Sequence, residues 1–393
     1  MPSRWTAAAG AVALAAGLVT ILPAGPGRAA ATVPAAPVSC TLSWTKATGN
    51  RAYPDTSATY WTMKFPVVSG GDLAVTGTFP HARYMSFNSY QGAMAYNAVE
   101  DDVLTPNGGA PNPFLGGNPR NGTVTYDMTV AFAATPAQPA GNTLYTGPAT
   151  PPSNEIIYRV YVPDQGQDDT GGVGLPAVTF NAPAGTPLPP ECSGSAPRSR
   201  TAAAHRLPAA TAATNPPTWT KSVTNDSYGN LDNAYLSASI STSFGQVLVI
   251  HAQAPTFPAT FQGEPVFQGG TQLRYWSVCE NNPSTTGVIG CAPDYLSNAS
   301  GGYYTIVVSK TRPTNTGPSC GDVWIPWGKV QTGLLLLRNM LPGGTFAQSI
   351  QQAENGQLRK NMGPFYPSSA YVSTVSAFEK LGCPPDLSGL HFG

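Results

Sequence analysis

The sequence predicts an all-β protein: two tandem jelly-roll-like antiparallel β-sandwiches, with one or two short helices near the C-terminus. Three observations predict it. Short segments rich in Val, Ile, Tyr and Thr recur between Gly and Pro, the pattern of strands and their turns. Gly (42) and Pro (40) are abundant, yet apolar residues still make up 41% of the 393 residues. A disordered polar chain would lack those aromatic and β-branched residues. Finally, a series of such segments occurs twice, in the same order.

The chain begins with Arg4, an apolar run from Thr6 to Leu22, the helix breakers Pro23, Gly25 and Pro26, and small residues at Ala29-Ala30-Ala31. These are the three parts of a secretory signal, so residues 1–31 are expected to be a signal peptide. Beyond it no stretch approaches the ~20 apolar residues of a membrane span. Cys40 lies far from the apolar run, which argues against a lipid-modified N-terminus. Residues 32–40 read as a loose lead-in. The first sandwich is expected at 40–192 and the second at 216–385. Between them, 193–215 (with His205) lacks apolar periodicity and reads as a linker.

Five matches carry the repeat. Tyr53-Pro-Asp55 to Tyr60 answers Tyr228 to Tyr235. Leu73-Ala-Val75 answers Val247-Leu-Val249. Arg83-Tyr84-Met85-Ser86 answers Arg274-Tyr275-Trp276-Ser277. Gly122 to Val130 answers Gly302 to Val308. Glu155 to Pro163, with Arg159, answers Leu334 to Pro342, with Arg338. The offset drifts between matches, as it does when loops of different length sit on a shared scaffold. A helix is expected at Thr345–Ala353, where Phe346, Ile350 and Ala353 would share a face. A second is expected from Ser373 to Leu381, stopped by Gly382.

Six cysteines in an exported chain suggest disulfides. Two lie in the first half (Cys40, Cys192) and four in the second (Cys279, Cys291, Cys320, Cys383). An even count in each half fits Cys40–Cys192, Cys279–Cys291 and Cys320–Cys383, although six cysteines allow about 15 pairings. No C-x-x-C pair is present, which argues against zinc.

The later matches resemble a bacterial jelly-roll family, the domain-of-unknown-function family 1214, usually found beside its partner family 1254. The residues that carry the resemblance are Tyr275-Trp276-Ser277, Gly302 to Ile306, Trp324-Ile325-Pro326 and Gly333 to Pro342 with Arg338. The first half keeps Tyr84-Met85-Ser86 and Arg159 with Pro163 but shows no Trp-x-Pro. The resemblance covers about half of each unit and implies a jelly-roll sandwich. It implies no activity and no catalytic residues, and family 1254 itself is not seen.

Charged residues are 10% of the chain and the formal net charge is zero. No basic footprint for nucleic acid and no polybasic membrane patch exists. In so sparsely charged a chain the repeated arginines stand out. Arg83, Arg274, Arg159 and Arg338 could form forks for a carboxylate or phosphate; a structural role joining strands is the more economical reading. His81 and His251 lie near matching strands but not at matched positions. Asp101-Asp102 and Asp168-Asp169 are loop pairs of the kind that suit Ca²⁺, without an EF-hand spacing. No other cofactor is indicated. Glu264, Glu280 and Asp294 could supply the two carboxylates of a glycosidase. Tyr275, Trp276, Tyr303, Tyr304, Trp324 and Trp327 could stack on sugars, although strands also need such residues inside. Together these suggest a secreted or cell-envelope binding or structural protein for a glycan or small organic anion. The alternative is a secreted hydrolase or lyase acting on a polymer, with its site in the second unit or between the units.

Overall fold

A computed structural model describes residues 37–48, 50, 52–116, 122–147, 153–193, 212–222, 226–266, 271–297 and 302–393. The expected signal peptide and the middle of the expected linker, with His205, lie outside the described residues.

The first half contributes β1 (Val38–Leu42), β2 (Thr45–Lys46), β3 (Ala58–Pro66), β4 (Asp72–Thr78), β5 (Ala82–Gln91), β6 (Met94–Glu100), β7 (Thr125–Ala131), β8 (Thr143–Tyr145), β9 (Ser153–Pro163) and β10 (Ala177–Ala182). They form two sheets, ordered β2-β3-β9-β5-β6 and β1-β10-β4-β7-β8. The second half contributes β11 (Thr220–Lys221), β12 (Asn233–Ser241), β13 (Val247–Gln253), β14 (Leu273–Asn281), β15 (Val288–Pro293), β16 (Tyr303–Ser309), β17 (Val323–Pro326), β18 (Thr332–Pro342) and β19 (Ser368–Val372). Its sheets run β11-β12-β18-β14-β15 and β19-β13-β16-β17. The two strand orders coincide one for one, with β1 as an extra edge strand in the first half. Even the exceptions coincide: β7–β8 and β16–β17 are the parallel pairs among antiparallel ones.

The ladder registers set the equivalences. Ser86 faces Arg159 in the first half, and Ser277 faces Arg338 in the second. Leu73 pairs with Val130, and Leu248 with Val308. The partner of Leu73 is therefore Leu248 rather than the expected Val247. Likewise Tyr126 corresponds to Tyr304, a shift of two residues from the expected Gly122–Gly302 match. Both strands are apolar enough that sequence alone cannot fix which residues face inward. The left-handed residues repeat as well: Tyr53 (φ 55°) with Tyr228 (φ 60°), and Val162 (φ 47°) with Leu341 (φ 41°).

Each sandwich has its own core, the first joined by Val266 from the second half. Leu73, Val75, Met85, Phe87, Tyr126, Tyr158 and Phe180 fill the first. Leu248, Ile250, Trp276, Val278, Ile306, Leu335 and Trp327 fill the second. The outer sheets differ. In the first half β4, β7 and β10 alternate buried and open positions, so their outer face is polar. In the second half β13 and β16 are buried almost throughout. Their outer face (Val247, Val249, Val307, Val372) is covered by Phe378, Leu381, Leu387, Leu390 and Phe392 of the C-terminal segment.

Two α-helices occur among the described residues, α1 (Leu358–Met362) and α2 (Val375–Glu379). The Thr374 side chain caps α2 by accepting from Ala377 N–H, which fixes the start of the expected 373–381 helix. The expected 345–353 helix is instead a run of turns. Phe346, Ile350 and Ala353 are buried as expected. However, the Ile350 N–H donates to Asn339 Oδ1 at 3.0 Å, and the Gln351 side-chain amide donates to the Asn339 carbonyl. Docking on β18 thus takes the Ile350 N–H, a donor the helix would need. The three disulfides are Cys40–Cys192, Cys279–Cys291 and Cys320–Cys383, matching expectation.

Candidate functional site

The repeated ionisable residues converge on the seam between the two sandwiches. Residues from Ala36 to Gly393 form one compact unit, and the seam runs through it with near two-fold symmetry. Arg83 is the second residue of β5 and Arg274 occupies the same place in β14. Asp101 follows β6 and Asp294 follows β15. Each aspartate first serves its own half. Asp101 accepts from Met85 N–H at 2.7 Å, and Asp294 accepts from Trp276 N–H at 3.1 Å. Each then crosses over: Arg83 Nη1 reaches Asp294 Oδ1 at 2.5 Å, and Arg274 Nη1 reaches Asp101 Oδ1 at 2.8 Å. Arg274 Nη2 also holds Asp102 at 3.0 Å. Thr260 accepts from Arg83 Nε, and the Phe257, Tyr275 and Tyr295 rings lie within 6 Å of its guanidinium carbon.

A second exchange flanks the first. Tyr84 donates its hydroxyl to Asp232 of the other half, and Tyr275 donates to Asp55 at 3.0 Å. Arg159 holds Asn88 Oδ1 at 2.7 Å, Tyr90 Oη at 2.5 Å and the Tyr228 carbonyl at 2.9 Å. Arg338 holds the Tyr53 carbonyl and Cys279 Sγ, with Asp55 at 3.6 Å. The segments before β3 and β12 therefore act as reciprocal arms. Tyr53 N–H pairs with Thr286 on the β14–β15 turn, and Tyr228 N–H pairs with Ala93 on the β5–β6 turn. Tyr84, Tyr161 and Tyr275 stack edge to face across the middle.

Burial sets the electrostatics of the seam. It pushes the Asp101 carboxyl up to about 7 against the opposing pull of Arg274. It raises Asp294 in the same way, opposed by Arg83. Burial, then the neighbouring Asp232 and Asp102, push Glu100 up to about 8. Asp232 is itself raised by burial. The anions beside Arg83, Arg274 and Arg338 are internal carboxylates, while Arg159 takes neutral acceptors.

The other expected site residues lie elsewhere. His251 stacks on Tyr303 with centroids 5.3 Å apart, and its Nδ1 lies 3.0 Å from Thr305 Oγ1. Partial burial lowers its pKa. His81 Nε2 sits 3.4 Å from the Gly122 carbonyl at the surface. Glu264 is exposed after a turn, whereas Glu280 is buried inside the second sandwich, where burial raises its carboxyl well above the usual range. With Asp294 in the seam, the proposed carboxylate set occupies three different surroundings. Trp276, Trp327, Tyr275 and Tyr304 are core or seam residues. Trp324 packs under the C-terminal segment and donates to Ser309 Oγ at 2.9 Å. Of the six aromatics, Tyr303 is the exposed one, at 43%.

The Ca²⁺ candidates are held by protein groups. Asp168 accepts from the Thr170 and Gly172 N–H groups of its own turn, Lys46 reaches Asp169, and Arg274 takes Asp101 and Asp102. Among the described residues, Asp55, Cys279 and Cys291 come within 4.8 Å of one another in a grouping of metal-ligating types. The cysteines are joined, and Arg338 supplies the positive charge beside Asp55.

No family model and no curated protein matches the chain. Solved structures do. An uncharacterized protein from Burkholderia cenocepacia aligns at TM-score 0.49 and 15% identity, covering 76% of this chain and 78% of that one. The VPA0106 protein from Vibrio parahaemolyticus aligns at TM-score 0.42 and 10% identity, covering 83% and 92%.

Proposed function

We propose that this chain is a secreted or cell-envelope protein that acts without catalysis, as a rigid binding module for an extracellular glycan. One observation carries the non-catalytic part. The four repeated arginines bind across the seam, Arg83, Arg274 and Arg338 beside carboxylates and Arg159 on the Tyr228 carbonyl, and so serve assembly rather than an outside ligand. An active site needs such groups converging on a space for substrate. The pairing of all six cysteines, with none free, supports an oxidising compartment. The jelly-roll pattern of family 1214 belongs to the same reading: Trp324-Ile325-Pro326 falls in β17 and Arg338 in β18.

The glycan part rests on the difference between the outer sheets. The second is capped by the C-terminal segment; the first is open. Thr41, Thr179, Ala74, Thr129 and Thr143 stand opposite one another in a single rung across five strands. Asn181, Thr76 and Asp127 lie on the same face. A flat array of hydroxyl and amide groups suits a polyhydroxylated chain lying across it.

The test is co-sedimentation of the mature protein with insoluble polysaccharides, run beside a turnover panel of glycoside, ester and uronate substrates. Retention on at least one polysaccharide with no turnover is expected. The Thr129→Glu variant, altered at an exposed position, should lose retention while keeping its melting temperature. Turnover of any substrate would overturn the non-catalytic reading. Retention that Thr129→Glu leaves intact would overturn the choice of face.

A further inference from the structure

The two halves hold their equivalent strand arginines through matching arm carbonyls, Tyr228 for Arg159 and Tyr53 for Arg338, but differ at the acceptor on the neighbouring strand. In the first half, Arg159 Nη1 donates to Asn88 Oδ1 at 2.7 Å, a strong amide acceptor. The ladder registers place Cys279 where Asn88 stands and Cys291 where its neighbour Ala98 stands. Arg338 Nη1 accordingly points at Cys279 Sγ, 2.9 Å away. A disulfide sulfur accepts hydrogen bonds weakly, and a buried guanidinium donor aimed at one is poorly served. A thiolate in the same place would be an anionic acceptor matched to the donor.

We propose that Cys279–Cys291 is a redox-active disulfide, opened by a dithiol reductant at Cys291, with Cys279 leaving as a thiolate held by Arg338. Cys291 is the half-buried residue of the pair and Cys279 the fully buried one. A thiolate of the reductant attacks Cys291 Sγ. A mixed disulfide forms, and the Cys279–Cys291 bond breaks with its electron pair on Cys279. The reductant's second thiolate then attacks its own sulfur in the mixed disulfide and releases Cys291, which takes a proton from water. The dithiol is oxidised to a disulfide, and the protein bond is reduced by the same two electrons. A leaving thiolate with a lowered pKa departs faster, and a cation beside it lowers that pKa.

The location makes opening tolerable. The two cysteines face one another on adjacent strands, β14 and β15, which the ladder already joins. Their sequence separation is 12, against 63 and 152 for the other disulfides, so this bond restricts the unfolded chain least. The charged and titratable groups around Arg338 are Asp55 from the arm, Tyr235 from β12, Tyr60 from β3 and Tyr161 from β9. Asp55 is the competing anion, and Tyr275 and Ser277 already donate to it.

The experiment equilibrates the full mature chain in mixtures of reduced and oxidised dithiothreitol, quenches with acid, and reads each disulfide by alkylation and peptide mass spectrometry. Cys279–Cys291 should be half reduced at a reductant ratio at least about tenfold lower than Cys320–Cys383, equivalent to about 30 mV. The ultraviolet thiolate absorbance of the partly reduced protein should titrate below the ~8.5 of free cysteine. Asp55→Asn, which removes the competing carboxylate, should make the bond easier to reduce. Half-reduction of Cys279–Cys291 together with or after Cys320–Cys383 in the unmodified chain overturns the proposal whatever the variant does. A thiolate that titrates at or above the free value does the same.

Discussion

Arg83 in the first sandwich holds Asp294 in the second at 2.5 Å, with both side chains fully buried. Its counterpart, Arg274 to Asp101, runs the opposite way at 2.8 Å. Removing one partner of such a pair leaves an uncompensated charge in the interior, at a cost of about 3–5 kcal/mol. Arg83→Met should therefore lower unfolding stability by that amount in urea titrations. The double variant Arg83→Met/Asp294→Asn should recover most of the loss, because it removes the unpaired charge while keeping an acceptor for the Trp276 N–H. A double variant as unstable as the single one would show that the pair is not the source.

Stability should fall as pH rises across the neutral range. Glu100 is pushed up to about 8 and Asp101 to about 7, and burial is the leading cause for both. A carboxyl whose folded pKa lies above its unfolded value keeps its proton more tightly in the folded state. Its stabilising effect is complete below the unfolded pKa, near 4, and is lost as pH climbs through the folded value. Glu100→Gln, which cannot ionise, should flatten the decline between about pH 5 and 8. Denaturation midpoints across that range would check it, and an unchanged slope would assign the decline elsewhere.

The C-terminal segment behaves as a cap on an apolar sheet face. Phe378 is fully buried against Val247, Val249 and Val307. Phe378→Ala should cost about 3–5 kcal/mol, as large-to-small changes in a core do. It should also raise binding of a hydrophobic dye, since the face beneath is far more apolar than its counterpart in the first half. A stable variant without added dye binding would show that the cap is dispensable.

Glu280 lies inside the second sandwich where the first has Ser89, and Gly333 stands where the first has Asn154. A Cβ on Gly333 would meet the Glu280 carboxylate at 1.8 Å. The glycine makes room for the larger acid. Burial raises Glu280 well above the ordinary carboxyl range, which favours its neutral form. Glu280→Gln should keep neutral-pH stability within about 1 kcal/mol and add stability at alkaline pH. A loss of several kcal/mol at neutral pH would mean that the charged form is the native one.

Much of the fold was legible because strand signals are local. Twinned segments such as Arg83-Tyr84-Met85-Ser86 and Arg274-Tyr275-Trp276-Ser277 marked equivalent strands, and the even division of cysteines suggested the three disulfides. The seam was not legible, because each arginine's partner lies in the other half. Asp101 resembled half of a loop Ca²⁺ pair and Asp294 one of the carboxylates of a glycosidase. Their shared place, one residue beyond β6 and β15, was the available signal, and it required a match not drawn between those strands. Registers within uniformly apolar strands were also hidden: nothing local distinguishes Val247 from Leu248 as the inward residue. The 345–353 helix failed for a non-local reason, the capture of the Ile350 N–H by Asn339.

The central claim is that reciprocal contacts weld two sandwiches of one topology into a single cooperative body. Scanning calorimetry of the whole mature chain, with disulfides intact, tests it most directly. The seam predicts one transition whose calorimetric and van't Hoff enthalpies agree, a ratio of about one. Two resolved transitions, or a ratio of about two, would mean that the halves unfold independently and would contradict it.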